Sequence, residues 1–250
     1  MVAIIECDRV AKTFTEGGKN FSVLEDITFS VNEREFVSVV GPSGCGKSTM
    51  LRMILGLIPP TRGEIRYKGE VMRGVNPHMS MVFQTFALFP WLTVFENIEV
   101  GIEATGADPE TRLRKTQHMV EEVGLQGFED AYPRELSGGM KQRVGIARAL
   151  VTDPEVLLMD EPFSSLDTLT AGALREEVLR LWADRTTLPE IIIMVTHNVE
   201  EAVYMADRVI VLSRRPAKVV GDVSVDIARP RDKRSNKLYE LVDTITSMIA

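Results

Sequence analysis

Gly41-Pro42-Ser43-Gly44-Cys45-Gly46-Lys47-Ser48-Thr49 follows the short apolar run Phe36-Val37-Ser38-Val39-Val40 and leads into Met50-Leu51-Arg52-Met53-Ile54-Leu55. Glycines let a backbone turn so that successive N–H groups point into one concavity, an anion nest. A helix starting at the end of such a loop adds unpaired N–H donors and the positive end of its dipole. Strand, glycine loop and helix are the context in which G-x-x-x-x-G-K-[ST] binds phosphate. Lys47 supplies a full charge for β- and γ-phosphates, and the Ser48 hydroxyl is a hard oxygen ligand suited to Mg²⁺. The alternative, a glycine-rich turn with an exposed lysine, does not account for eight constrained positions in this setting.

Acids that fit the same chemistry stand downstream. Val156-Leu157-Leu158-Met159-Asp160-Glu161 is an apolar run ending in two carboxylates. A buried strand would deliver them at its carboxyl end, where open α/β sheets bind ligands. There Asp160 can join a Mg²⁺ shell and Glu161 can polarise an attacking water. A core strand ending in solvent is the plainer reading, and the phosphate loop upstream argues against it. Leu136-Ser137-Gly138-Gly139-Met140-Lys141-Gln142 places a hydroxyl and two glycines before a helical stretch. Such a start suits an anion, although serine capping beside a hinge is the commoner meaning of Ser-Gly-Gly. Gln84 and His197 both follow short apolar runs, and singly each reads as a strand-end polar residue.

The elements needed to hold these residues can be read from periodicity. Residues 1 to about 35 alternate as strands, with a turn at Gly17-Gly18-Lys19-Asn20 and with Phe14 in the first run. Glu64–Tyr67 and His78–Phe83 are further short strands. From 93 the period turns helical: Thr93–Glu103, Pro109–Val123 with Asp108 as N-cap, and Met140–Leu150. Strand and helix then alternate through Val156–Met159, Thr168–Arg185, Ile191–Thr196, Val199–Met205 and Val209–Leu212, with a last helix near Asn236–Ile249. The expectation is one α/β domain, its nucleotide core formed by 1–92 and 152–220, a helical insert at 93–151 and a short tail at 221–250.

Composition narrows the class. Of the 250 residues, 44% are hydrophobic and 26% charged, ordinary for a globular protein. No apolar run approaches the roughly 18 residues of a transmembrane helix. The N-terminus lacks a basic region before its first acids, so a secretion signal is not expected. Two cysteines, Cys7 and Cys45, make no disulfide framework and fit a reducing compartment. A net charge of −7 argues against an extended nucleic-acid footprint. Between Arg208 and Lys237 nine Lys or Arg face three Asp, a run that could meet anionic lipid but more often is a solvated face.

In order, Gly41–Thr49, Gln84, Leu136–Gln142, Val156–Pro162, Ser164-Ser165-Leu166-Asp167 and His197 resemble the full motif set of ABC-type ATPases. In family terms these are the Walker A loop, Q-loop, signature, Walker B strand, D-loop and switch histidine. The resemblance spans roughly residues 2 to 220. It implies a parallel-sheet P-loop core with an N-terminal antiparallel β subdomain and an inserted α-helical subdomain. It implies that Phe14 stacks on adenine, that Ser48, Gln84 and Asp160 approach Mg²⁺, and that Lys47 and His197 contact the γ-phosphate. Glu161 would polarise water, Ser137, Gly138 and Gly139 would contact the γ-phosphate held by an opposite subunit, and Gln142 and the D-loop Asp167 would belong to the nucleotide site. ATP hydrolysis would then need a head-to-tail homodimer.

Phe89-Pro90-Trp91-Leu92-Thr93-Val94, Met159–Phe163 and Thr196–Val203 look like importer ATPases for nitrate, alkanesulfonates and taurine. That branch implies transmembrane permease subunits docking near Phe86–Trp91, an external solute-binding protein, and a place on the cytoplasmic face of the membrane. Departures are Ser164-Ser165 where Gly-Ala is usual, Asn198 where Asp is common, and Ala171 where an arginine is often found. An exporter or lipid-transport ATPase, and a soluble ABC ATPase of translation or repair, remain alternatives. The soluble proteins usually carry two cassettes or a coiled-coil insert, which this sequence lacks.

Overall fold

A computed structural model describes residues 3–183 and 189–249. In chain order its elements are strands Ala3–Glu16 (β1), Lys19–Asn32 (β2) and Phe36–Val40 (β3), and helix Lys47–Ile54 (α1). Strands Arg62–Tyr67 (β4), Glu70–Val71 (β5) and Met79–Val82 (β6) precede helices Val94–Glu103 (α2), Pro109–Glu122 (α3) and Gly138–Leu150 (α4). Val156–Asp160 (β7), Thr168–Ala183 (α5), Ile191–Thr196 (β8), Val199–Met205 (α6), Arg208–Leu212 (β9), Val219–Ser224 (β10) and Asn236–Ile249 (α7) complete it. The end of the expected helix to Arg185 lies outside the described residues. Among the described residues no helix is long and apolar enough to cross a membrane.

The chain divides into two compact units, Met1–Asn76 with Glu190–Ala250, and Pro77–Pro189. In the first unit β1 and β2 form a long antiparallel hairpin through Gly17 and Gly18, both at positive φ (57° and 76°). A two-residue turn with φ > 0 at both positions matches the strand twist, which is why glycine stands there. Lys19 and Asn20, expected in the turn, already pair with Glu16 and Thr15. β4 and β5 extend this antiparallel sheet in the order β2-β1-β4-β5. A second set in the same unit runs β10-β9-β3-β8, with β3 parallel to both β8 and β9. Every residue of β3 and β8 is buried, as expected of parallel strands covered on both faces. β10 runs antiparallel to β9 at the edge of this set.

In the second unit β6 and β7 are parallel, Met79 facing Val156 and Val82 facing Met159. Its helices start where side chains can satisfy the first N–H groups. Thr93 and Glu96 form a reciprocal capping box on α2, and Asp108 caps α3 with Pro109 at the first position. Thr93 is thus the cap of α2, one residue outside the helix it was expected to begin. A 3-10 turn at Pro133–Glu135 precedes α4, and periodicity gave no sign of it.

One backbone crossing in the first unit is tight. β1 bulges between Asp8 and Ala11 where it pairs with β4, and Arg9 (φ 48°) and Gly63 (φ 74°) are both left-handed there. A Cβ on Gly63 would lie 2.3 Å from the Arg9 carbonyl oxygen, backbone that cannot swing aside. Gly63→Ala should therefore cost about 2–4 kcal/mol, read as a lowered urea midpoint at unchanged m-value. An unchanged midpoint would refute the steric account.

Candidate functional site

In the first unit β3 ends at Val40 and the chain turns through Gly41–Gly46 into α1. Gly46 stands at the helix N-cap with φ 120° and no side-chain cap. A Cβ there would meet Val23 Cγ1 at 2.7 Å and Leu24 Cδ2 at 2.9 Å, so the loop is pressed onto β2 and glycine is required. Lys47 is only 4% exposed, and its Nζ donates to the carbonyls of Gly41 (2.9 Å) and Pro42 (3.2 Å). An anion in the loop would therefore meet an ammonium already centred by two carbonyls. Ser48 and Thr49 are half-buried in the first turn of α1. Pro42 and Ser43 shape the turn, Pro42 accepting the Cys45 N–H at 3.2 Å. The Cys45 thiol is buried, which pushes its pKa up, while the charge of Lys47 opposes the rise.

His197 is exposed at the end of β8, in the same unit. Asn198 caps α6 by accepting the Glu201 N–H at 3.0 Å. Asparagine caps as well as aspartate, so that departure from the family pattern changes nothing in the helix start. Phe14 is 40% exposed on β1, opposite Phe21, with Lys12 Nζ 5.1 Å from its ring centroid.

The second unit gathers the remaining candidates. β7 ends at Asp160, buried, and Glu161 follows with φ 44°, a left-handed conformation uncommon for glutamate. The Gln84 amide lies 3.4 Å from the Glu161 carboxylate and 3.5 Å from the Ser164 hydroxyl. Ser164 Oγ donates to the Glu161 carbonyl at 3.0 Å, and Ser165 Oγ to the Gln84 carbonyl at 3.4 Å. The two serines that replace the usual Gly-Ala thus tie Gln84 to the turn after β7.

Ser137 caps α4 through the Met140 N–H at 3.3 Å, with Gly138 exposed beside it. A Cβ on Gly139 would lie 2.5 Å from Thr170 Cγ2, so the helix start packs closely on α5. Asp167 caps α5, accepting from Leu169 and Thr170 N–H groups, and the bonds to Thr170 hold its carboxyl below the ordinary value. Gln142 stands apart from this exposed face. Its amide is buried without a hydrogen-bond partner among the described residues.

The loop 86–93, which the resemblance marks as the docking stretch, is held by two residues that the sequence did not single out. Trp91 is 68% and Phe89 37% exposed, their rings 5.7 Å apart, so these side chains do not plug an interior. Fully buried Asn97 accepts from Phe89 N–H (2.8 Å) and donates to the carbonyls of Phe89, Leu92 and Thr93 (3.1, 3.0 and 2.8 Å). Arg148 donates to the carbonyls of Phe86 and Ala87 at 2.9 and 2.7 Å. Only the apolar helical period around each of these two residues, with a polar group on the inward face, could have pointed to them.

The ABC transporter family profile matches residues 24–164. The chain is 41% identical to an aliphatic sulfonates import ATP-binding protein of Bacillus cereus, over 95% of this chain and 92% of that one. It is 44% identical to a nitrate import ATP-binding protein of Synechocystis, over 90% and 84%. A solved dimeric ATP-binding cassette in a post-hydrolysis state, bound to ADP and Pi, superposes with a TM-score of 0.77 at 30% identity, covering 90% of this chain and all of that one. The chain belongs to the ABC transporter family, with the ABC ATPase fold. It is an ATP-binding, ATP-hydrolysing subunit.

The bonds of Asn97 give this subsection its test. Asn97→Leu keeps the shape but leaves the buried groups of Phe89–Thr93 without partners. It should cost about 3 kcal/mol and speed hydrogen exchange at the Phe89 amide. Native exchange at Phe89 in a folded Asn97→Leu protein would show that the loop is held by other means.

Proposed function

We propose that the chain is the cytoplasmic ATPase of an importer of the nitrate, sulfonate and taurine type, working as a head-to-tail homodimer that drives separate membrane subunits. The observation that carries this reading is the exposed Phe89–Trp91 pair on a loop tied down at both ends, directly after the Gln84–Thr85 turn. Exposed aromatics on a rigid loop are the usual form of a partner surface. The identity to import ATPases and the likeness to a dimeric cassette support the same reading. An external solute-binding protein and the membrane subunits would set the solute, and no nucleic acid enters the cycle. The domain organisation we propose is one cassette, with a nucleotide core at 1–92 and 152–220, a helical insert at 93–151 carrying Ser137–Gly139, and a tail at 221–250.

In this reading Gly41–Thr49 takes the ATP phosphates through backbone N–H groups, and Lys47 holds the β- and γ-phosphates. Phe14 stacks on adenine by the face that Lys12 leaves open. Among the described residues no three His, Cys, Asp or Glu cluster as a metal site. By the resemblance, the residues that would hold Mg²⁺ are the Ser48 hydroxyl, the Gln84 amide and the Asp160 carboxylate, a sparse oxygen set that suits this ion when substrate phosphates complete the shell. Bound there, Mg²⁺ would neutralise charge on the phosphate oxygens. Glu161 accepts hydrogen bonding from the attacking water, and His197 holds the γ-phosphate. Ser137, Gly138 and Gly139 with Asp167 face the second subunit's nucleotide; Gln142, expected with them, is fully buried in α4 and does not reach that face. Catalysis is positioning and charge stabilisation.

Glu161→Gln keeps the volume but removes the carboxylate. ATP binding should survive while turnover of the assembled transporter falls at least about tenfold, a barrier rise above ~1.4 kcal/mol. Near-normal hydrolysis would take Glu161 out of this role. Trp91→Ala should weaken co-purification with the membrane subunits while the isolated subunit keeps its melting temperature and ATP affinity. A sharp drop in melting with unchanged association would make Trp91 a structural residue instead.

A further inference from the structure

We infer that Arg215 is a positioning residue for the phosphate loop, holding the Gly44–Cys45 peptide at the loop's crest from outside the loop. This rests on the reading that Gly41–Thr49 takes the nucleotide's phosphates. Arg215 Nη2 donates to the Gly44 carbonyl oxygen at 2.8 Å. On the other side of the same peptide plane, the Cys45 N–H donates to the Pro42 carbonyl at 3.2 Å. One peptide is therefore gripped at both its polar ends. Packing does not do this job, because nothing lies within 4 Å of where a Gly44 Cβ would sit. Gly44 is also left-handed, at φ 74°, in a residue type with few steric limits of its own. A mobile crest would have to be ordered on each binding event, which weakens affinity.

The arginine is delivered by a fixed element. It lies in the connection between β9 and β10, which closes on itself through Ser213 N–H to the Lys218 carbonyl (2.9 Å) and Lys218 N–H to Ser213 Oγ (3.0 Å). Ala217 then bridges to β2, exchanging bonds of 2.9 Å with Val23 and Glu25. β2 is the strand whose Val23 and Leu24 press on Gly46. Arg215 and the loop it holds are thus referenced to one strand. Its guanidinium also lies near enough to act on the loop electrostatically: with Lys47, it opposes the rise that burial imposes on the Cys45 thiol. The same cation favours a polyphosphate arriving at the loop.

The test uses the full chain with ADP, ATP and N-ethylmaleimide. Arg215→Ala should weaken ADP and ATP binding by about the same factor, on the order of fivefold, because both nucleotides share the β-phosphate. Arg215→Lys, which keeps a charged donor of similar reach, should recover affinity to within about twofold of the native chain. Alkylation of Cys45, read by peptide mass spectrometry without nucleotide and expressed per thiolate from its pH profile, should be faster in Arg215→Ala, where loss of the guanidinium itself disfavours the thiolate, and slow again in Arg215→Lys. A merely structural arginine would lower the melting temperature without this pattern. If Arg215→Ala leaves affinity and alkylation unchanged while Lys47→Ala abolishes ADP binding, the inference is wrong and the phosphate loop stands. If Lys47→Ala binds ADP normally, the phosphate-loop reading falls and the inference falls with it.

Discussion

The first unit depends on one close approach, Gly46 against Val23 and Leu24 of β2. A phosphate nest is made of backbone, and backbone can point several N–H groups inward only where side chains do not force it open. Here the loop is kept closed from beneath by two aliphatic side chains, so the strand below becomes part of the loop. The same strand pairs with β1, Leu24 opposite Lys12 and Phe21 opposite Phe14. The ring proposed for the base and the loop proposed for the phosphates therefore share a rigid reference. Their separation is set by strand register, which a single-residue slip would invert face for face.

The second unit spends its strain around Glu161. A non-glycine residue at φ 44° costs about 1–3 kcal/mol and persists only where surrounding bonds impose it. Those bonds are identifiable: Ser164 N–H at 3.2 Å and Ser164 Oγ at 3.0 Å both engage the Glu161 carbonyl. Phe86 (φ 60°) and Ala87 (φ 48°) are strained in the same way after Gln84, where Arg148 takes both their carbonyls. The carboxylate turn and the aromatic loop are thus each held off the relaxed backbone by a neighbour's polar side chain. The Gln84 side chain and carbonyl join the two.

How much of this was legible followed the range of the interactions. The phosphate loop, the Asp108 cap, the buried strands β3, β7 and β8 and the position of Ser137 before α4 are local patterns, and their residues announce them. Sequence gave Thr93 to the helix because an N-cap and a first helical residue carry the same polar periodicity; only the reciprocal bond with Glu96 separates them. Asn97, Arg148 and Arg215 were not legible. Arg148 and Arg215 act on backbone carbonyls 61, 62 and 171 residues away and Asn97 on those of the turn just before its helix, and a carbonyl leaves no mark on residue type. The serines at 164 and 165 were visible as departures from a pattern, yet their bonds to Glu161 and Gln84 need the fold.

The basic stretch after β9 shows the same limit from the other direction. Its charges look available in sequence, but the structure commits most of them internally. Arg208 pairs with Glu35 and Asp222, Lys218 with Glu25, and Arg229 with Asp207. Arg231 is buried and donates to the carbonyls of Val203, Tyr204 and Ala206 at the end of α6, and to Val225 and Ile227. Burial, reinforced by Arg229, pulls its pKa down to about 10, still far enough above neutrality to keep the charge. A cation at a helix C-terminus is stabilising, and these carbonyls have no partners within the helix. α6 begins at the Asn198 cap, one residue after His197. Two of these cations, Arg229 and Arg231, instead secure the far end of the helix that starts beside the histidine proposed for the γ-phosphate.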